Sequence, residues 1–188
     1  MGAGLSCTIL PMTQPSAHSD GSCNFLFLDI DGVLNACGAL LGDVRKHQAW
    51  PGYELVAGER WGETVSPQMV TELNQILNDH DFRLVWLTSW ESAVPAFGHK
   101  TGIDNVLHAP WLSTEDAHGE WGKLVSVRAF LSQHSKLGDK VAWLDDDLAS
   151  EHDAALWAAR QGVLAIPPAA RHGITPAHLH QLSEHCTR

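Results

Sequence analysis

The chain has 188 residues, and its 12 basic against 22 acidic residues leave a formal net charge of -10 at pH 7, which gives no electrostatic footprint for general binding to nucleic acid or anionic membranes. With 44% apolar and 18% charged residues, wholesale disorder is excluded and one globular core, burying about 70% of the unfolded surface, is expected. No apolar run approaches the roughly 20 residues that cross a bilayer.

Residues 1–22 mix Pro11, Pro15 and Gly21 with small polar residues and show no apolar period; they read as a disordered leader before a single domain over 23–188. Phe25 to Ile30 (FLFLDI) is apolar without alternation, the pattern of a strand buried on both faces. Ser66-Pro67 opens a helix in the N-cap and N1 manner, with Met69, Val70, Leu73, Ile76 and Leu77 on one face. Phe82 to Leu87 (FRLVWL) is a second buried strand, and a short one is expected around Asn105 to Leu107. A helix then runs from about Lys123 to His134, a strand from Lys140 to Leu144, and a helix from Ser150 to Arg160. Gly162 to Ile166 forms a further strand, and a last helix runs from Thr175-Pro176 to Cys186. Strands alternating with helices imply an α/β fold: a central parallel sheet, helices on both faces and right-handed crossovers.

The start MGAGLSCTILPM lacks the cationic lead and long apolar core of a secretory signal. Cys7, Cys23, Cys37 and Cys186 match no zinc-ligand or disulfide pattern and are read as reduced thiols. A cytoplasmic protein without membrane contact is expected.

In such a sheet ligands bind at the carboxyl ends of the strands. There the first strand ends in Asp29-Ile30-Asp31-Gly32-Val33-Leu34-Asn35, the second in Thr88-Ser89 and the next in Asp145-Asp146-Asp147. Two like charges 4 Å apart repel by about 4 kcal/mol at an effective dielectric of 20. Five carboxylates aimed at one edge therefore call for a cation, and Mg2+ suits a site that keeps positions for water and a phosphate oxygen. Each feature has an ordinary explanation when taken singly: an Asp triplet is commonly a solvated turn, and a Thr-Ser after a strand a helix cap. Their succession at the ends of consecutive apolar strands is what the ordinary explanations do not cover.

These segments resemble the motifs of the haloacid dehalogenase (HAD) superfamily, in its phosphatase-like branch. FLFLDIDGVLN is similar to the first motif, with Asp29 as nucleophile and Asp31 as acid/base. LVWLTSW is similar to the second, with Thr88, and Ser89 beside it, on the phosphate. Lys123 in GEWGKL suits the third, and WLDDD the fourth, which holds metal through Asp145 and Asp146 together with Asp29 and Asp31. Within the superfamily the arrangement is similar to small bacterial HAD domains related to that of "Swiss army knife" RNA-repair proteins. The resemblance implies a three-layer Rossmann-like fold and a Mg2+-dependent phosphohydrolase. It leaves open which of Asp145, Asp146 and Asp147 touches the metal.

The residue types suit that chemistry. Asp29 can divide ester hydrolysis into formation and breakdown of an aspartyl phosphate. Lys123, Thr88 and backbone amides after Asp31 can balance the phosphoryl oxygens, Gly32 permits the turn that brings those amides close, and Asp31 can protonate the leaving alcohol. A dehalogenase expels halide and has no use for Asp31 or the late aspartates. A receiver-like phospho-signalling domain or a non-catalytic scaffold on the same fold stays open, although receivers place their acidic pair before the phosphorylated Asp.

Caps in this superfamily enter after the first or second motif. The 30 residues between Asn35 and Ser66 suffice for a flap hairpin and a loop, and the 32 between Trp90 and Lys123 are too few for a sizeable insert. A minimal cap, an open site and a bulky phosphorylated substrate such as a nucleic-acid end, nucleotide or phosphoprotein are expected; the oligomeric state is not legible. Trp50, Trp61, Trp90, Trp111 and Trp121 fall in loops near the catalytic edge, where packing is favoured over stacking on a base. His178 and His180 fall on different faces of the last helix, as in a solvated helix rather than a metal site.

Overall fold

The computed structural model describes residues 23–37, 49–50, 54–56, 63–104, 108–116 and 119–187. The leader over 1–22, the strand expected at 105–107, Cys7 and Trp61 lie outside the described residues.

Four parallel strands make the sheet: β1 (Asn24–Leu28), β4 (Phe82–Trp86), β5 (Val141–Leu144) and β6 (Leu164–Ile166), in the order β4-β1-β5-β6. Between β1 and β4 lie β2 (Glu54–Val56) and β3 (Glu63–Val65), an antiparallel hairpin, and helix α1 (Pro67–Asp79). The hairpin fills the place where the short segment after the first motif left room for a flap. Helices α2 (Val94–Thr101), α3 (Gly122–His134), α4 (His152–Gln161) and α5 (Pro176–Thr187) complete the described elements.

Alternate strand residues supply two cores, which is why the strand runs do not alternate in polarity. Leu26, Leu28, Leu84, Trp86, Ala142 and Leu144 pack with Met69, Leu73 and Leu77 of α1, Val94 and Phe97 of α2, and Leu179 and Leu182 of α5. On the other face Phe25, Phe27, Val85 and Trp143 pack with Leu124 and Val127 of α3 and Ala154 and Ala158 of α4. The result is the expected three layers. Helix α1 starts where the sequence places it, with Ser66 Oγ accepting from Met69 N at 3.3 Å and Pro67 following the cap. Helix α2 has no counterpart in the sequence reading: Pro95 and Gly98 disguise it, and packing of Val94 and Phe97 outweighs their weak helical propensity.

The strands finish level. Leu28 pairs with Trp86 and with Leu144, and Leu144 with Ile166. One further ladder bond from Asp29 N to Leu144 O (3.1 Å) and one from Asp145 N to Ile166 O (3.2 Å) carry the chain just past that row. Strand β1 stops before its apolar run does, because the Ile30 carbonyl turns to accept from Val33, Leu34 and Asn35 N–H groups. At the open side of β4, Trp86 exchanges bonds with Pro110 and Leu112. No helix among the described residues is long and apolar enough to cross a membrane.

Candidate active site

Past the level row the ends of β1, β4 and β5 deliver Asp29, Thr88 and Asp145 to one edge, and all three are buried. Lys123, at the start of α3, reaches them from the side. Its Nζ lies 2.6 Å from Asp29 Oδ2, 2.9 Å from Asp145 Oδ2 and 3.4 Å from Asp147 Oδ2. The start of α3 can come this close because residue 122 is glycine: a Cβ there would overlap the Glu115 and Thr114 carbonyls.

The Asp29 carboxylate is fixed on both oxygens, Oδ1 accepting from Ile30 N at 2.6 Å and Oδ2 from Lys123. Asp145 is engaged on both as well. Its Oδ2 accepts from Lys123 and from Trp143 Nε1 (3.2 Å), and its Oδ1 from Asp147 N (3.1 Å). Asp146 instead lies over Gly32, whose φ of 73° and missing Cβ make the room, since a Cβ would overlap the Asp146 carboxylate. Asp31 accepts from Asn35 Nδ2 and Trp90 Nε1, each at 2.7 Å.

A pocket of about 340 Å³ is lined by Asp29, Asp31, Ser89, Lys123, Asp146 and Asp147, and also by Cys37, Thr114 and Trp121. The edge thus brings together Asp29, Asp31, Gly32, Thr88, Ser89, Lys123, Asp145 and Asp146. Asp147 enters as a third partner of Lys123, a role the triplet alone could not distinguish. Trp121 stacks on Trp143 with ring centroids 5.4 Å apart and planes at 10°, and Lys123 Nζ is 5.6 Å from its centroid. Cys37 carries a sequence signal in retrospect, two residues after the first motif, whereas Thr114 carries none. Burial, and then the charge of Asp31, push the Cys37 thiol up, away from the thiolate form.

Of the other tryptophans, Trp50 follows the packing expectation, buried with its indole N–H on Ile174 O at 2.7 Å, whereas Trp111 is 42% exposed. In α5, His178 Nδ1 accepts from Thr175 N, and exposed His180 pairs with Glu184. The close cluster of three potential metal ligands among the described residues, Asp29, Asp145 and Asp147, takes none of its members from that helix.

Five carboxylates around one ammonium leave the edge short of positive charge. Burial opposes the Lys123 charge, but Asp29 and Asp145 outweigh it and hold the ammonium above the ordinary lysine range. Burial raises Asp29, with Lys123 offsetting part of the rise. Asp145 is pushed up to about 7 by burial and by Asp29. Asp146 is pushed up to about 6 by burial, Asp147 and Asp29. Carboxylate oxygens of Asp29, Asp145 and Asp147 lie within 4.8 Å of one another, a spacing that can hold a metal ion.

Asp146 gives a stability test. A carboxyl whose folded pKa is raised contributes stability that is fully present below its unfolded value, near 3.8, and is lost as pH rises through about 6. In EDTA at pH 8, Asp146→Asn is therefore expected to raise the melting temperature, by about 2–4 °C per kcal/mol recovered. The gain should shrink towards pH 5. Differential scanning fluorimetry of both proteins at the two pH values checks this, and a gain independent of pH would remove the electrostatic explanation.

A family model, the HAD domain in Swiss Army Knife RNA repair proteins, matches residues 25–179. Among solved structures, the HAD domain of the effector protein Lem4 from Legionella pneumophila, an inactive mutant, matches with a TM-score of 0.54 at 11% identity. The match covers 88% of this chain and 95% of that one, and at such identity it bears on the fold alone. No curated protein matches the chain significantly.

Proposed function

We propose, because this chain belongs to the family of HAD domains in Swiss Army Knife RNA repair proteins, that it is a Mg2+-dependent phosphomonoesterase acting through an aspartyl phosphate on Asp29. The observation that carries this reading is the Asp29 carboxylate itself: 5% exposed, lining a pocket, and oriented by Ile30 N–H and the Lys123 ammonium. The Thr88 hydroxyl at the next strand end supports it. That group is buried beside Asp29, with no other hydrogen-bond partner among the described residues, so its hydroxyl is placed to turn to a phosphoryl oxygen.

The donor set suits a hard divalent cation, all oxygen and in excess of the one ammonium. Because Lys123 already occupies the centre of Asp29, Asp145 and Asp147, we assign the ion to Asp29, Asp146 and the main chain of Asp31, whose side chain is taken by Asn35 and Trp90, with Asp145 holding Lys123. When bound, it supplies charge neutralisation for the phosphoryl group and the carboxylates around it. An Asp29 oxygen attacks phosphorus, and the bond to the leaving oxygen breaks as the new one forms. Asp31 delivers the proton to that oxygen, then takes one from the water that hydrolyses the phosphoenzyme. Lys123 and Thr88 hold the phosphoryl oxygens throughout.

The family and the edge support a bulky phosphorylated substrate. Among the described residues no cap domain intervenes: between β1 and α1 lies the β2–β3 hairpin, and between β4 and α3 lies α2. An open edge admits a phosphate at a nucleic-acid end, and a nucleotide or phosphoprotein next. Action in the cytoplasm accords with the free thiols of Cys23, Cys37 and Cys186. The test is release of phosphate from 3'- and 5'-phosphorylated oligonucleotides, nucleotides, phosphopeptides and p-nitrophenyl phosphate. Activity is expected to vanish in EDTA and return with Mg2+, with Ca2+ a poor substitute because of its looser geometry. Full activity in EDTA would sink the mechanism.

A further inference from the structure

The Asp31 carboxylate is held by two neutral donors from different parts of the chain. Asn35 Nδ2 donates to Oδ1 and Trp90 Nε1 to Oδ2, both at 2.7 Å. Asn35 closes the turn that follows β1, its own N–H donating to Ile30 O and its carbonyl accepting from Gly32 N, each at 2.8 Å. Trp90 lies just beyond the second strand end and packs edge-on against Phe97 of α2 at 5.3 Å between centroids. The Asn35 amide has a second duty. Its Oδ1 accepts from Thr64 N, in strand β3 of the hairpin, at 2.9 Å. Only one orientation of the amide satisfies both contacts, because Thr64 N–H needs an acceptor and the carboxylate needs a donor. Asp at position 35 could still accept from Thr64 N–H but could not donate to Asp31, and would set two carboxylates face to face.

We propose that Asn35 and Trp90 are positioning residues that lock the Asp31 carboxylate, with Asn35 tying it to the β2–β3 hairpin. Proton delivery to the leaving group then depends on how the hairpin is anchored. The inference rests on Asp31 being the acid of the phosphatase reading. An acid must stand within hydrogen-bond reach of the leaving oxygen, and a carboxylate free to rotate about χ1 and χ2 spends much of its time elsewhere. One donor on each oxygen, from two elements, removes that freedom. The indole N–H is also the reason a tryptophan, rather than any aromatic residue, suits position 90.

Two measurements test this. In single-turnover formation of the phosphoenzyme, Trp90→Phe keeps the ring but removes the N–H, and Asn35→Ala removes the link to the hairpin. Each is expected to slow an alkyl phosphate about 10-fold more than p-nitrophenyl phosphate, a part of the 100- to 10,000-fold that proton transfer supplies, because the phenolate leaves without a proton. Added to Asp31→Asn, neither should slow the alkyl ester further. Equal slowing of the two esters, or an undiminished effect beside Asp31→Asn, would mean plain structural damage and overturn the inference. The second measurement needs no turnover: in the 15N–1H spectrum, Asp31→Ala should shift the Trp90 indole resonance and Asn35→Ala the Thr64 amide. An unmoved indole resonance overturns the clamp. A wild-type protein inactive on every ester, with those resonances moving as expected, retains the clamp and discards the phosphatase reading.

Discussion

Asp29→Asn is expected to abolish turnover of every phosphate ester by at least about 10,000-fold, the scale on which a covalent nucleophile is lost. An amide oxygen is a far weaker nucleophile, and its nitrogen turns a donor towards Lys123, which has none to accept with. Folding should not suffer, since Lys123 keeps Asp145 and Asp147 and Asp145 is relieved of a neighbour that pushes its carboxyl up. The outcome to look for is an inactive protein that melts no lower than wild type in EDTA and forms no acid-stable phosphoenzyme in a quenched mass-spectrometric assay. Residual activity above about one per cent of wild type would move the nucleophile elsewhere.

Lys123→Met should be as damaging to activity and far worse for the fold. The thioether fills much of the space of the lysine stem, so the loss is chiefly of charge. Removing one partner of a buried ion cluster costs about 3–5 kcal/mol, because the others are left uncompensated. For a chain of this length that corresponds to roughly 10 °C in melting temperature. The sign with pH follows. Ionised Asp29 and Asp145 are the groups left bare, so the deficit should be largest near pH 8 and smaller near pH 5, where protonation relieves it. Lys123→Arg keeps the charge but is expected to stay inactive, since three carboxylate oxygens converge on one ammonium and a planar fork cannot meet all three. A pH-independent deficit in Lys123→Met, or an active Lys123→Arg, would show that the ammonium is not the hub of the edge.

Much of this edge was legible because strands and motifs share one signal: an apolar run that stops at a polar cluster. FLFLDIDG and VAWLDDD show where the chain leaves the sheet as clearly as what it carries there. The helix α2 was not, since Val94 and Phe97 become a buried face only against Trp86 and Trp90. Nor could DDD be sorted by eye. Asp145 continues the ladder and is buried, Asp146 turns over Gly32, and Asp147 is exposed yet reaches Lys123. That division depends on a short 3-10 turn over Asp146–Ala149, with Asp145 as its cap. Packing, which the sequence favours for Trp90, half describes it: its ring packs, and its one polar atom holds Asp31. A tryptophan's N–H has no period along a chain, so only its partner reveals it.

The level finish of the sheet also bears on how the protein comes to exist. Strand β1 sits between β4 and β5, and its partners lie far along the chain: Asn24 meets Phe82, and Phe25 meets Val141. On a ribosome the strand FLFL would emerge before either neighbour has been made, with both hydrogen-bonding edges bare. Pairing between such distant segments closes long loops before any contact rewards it, so folding should be slow for a domain of this size. Asp29 and Asp145 share one face of Lys123 only after β5 has docked. The nascent chain therefore has a sticky interval, and the carboxylate edge is among the last things to form.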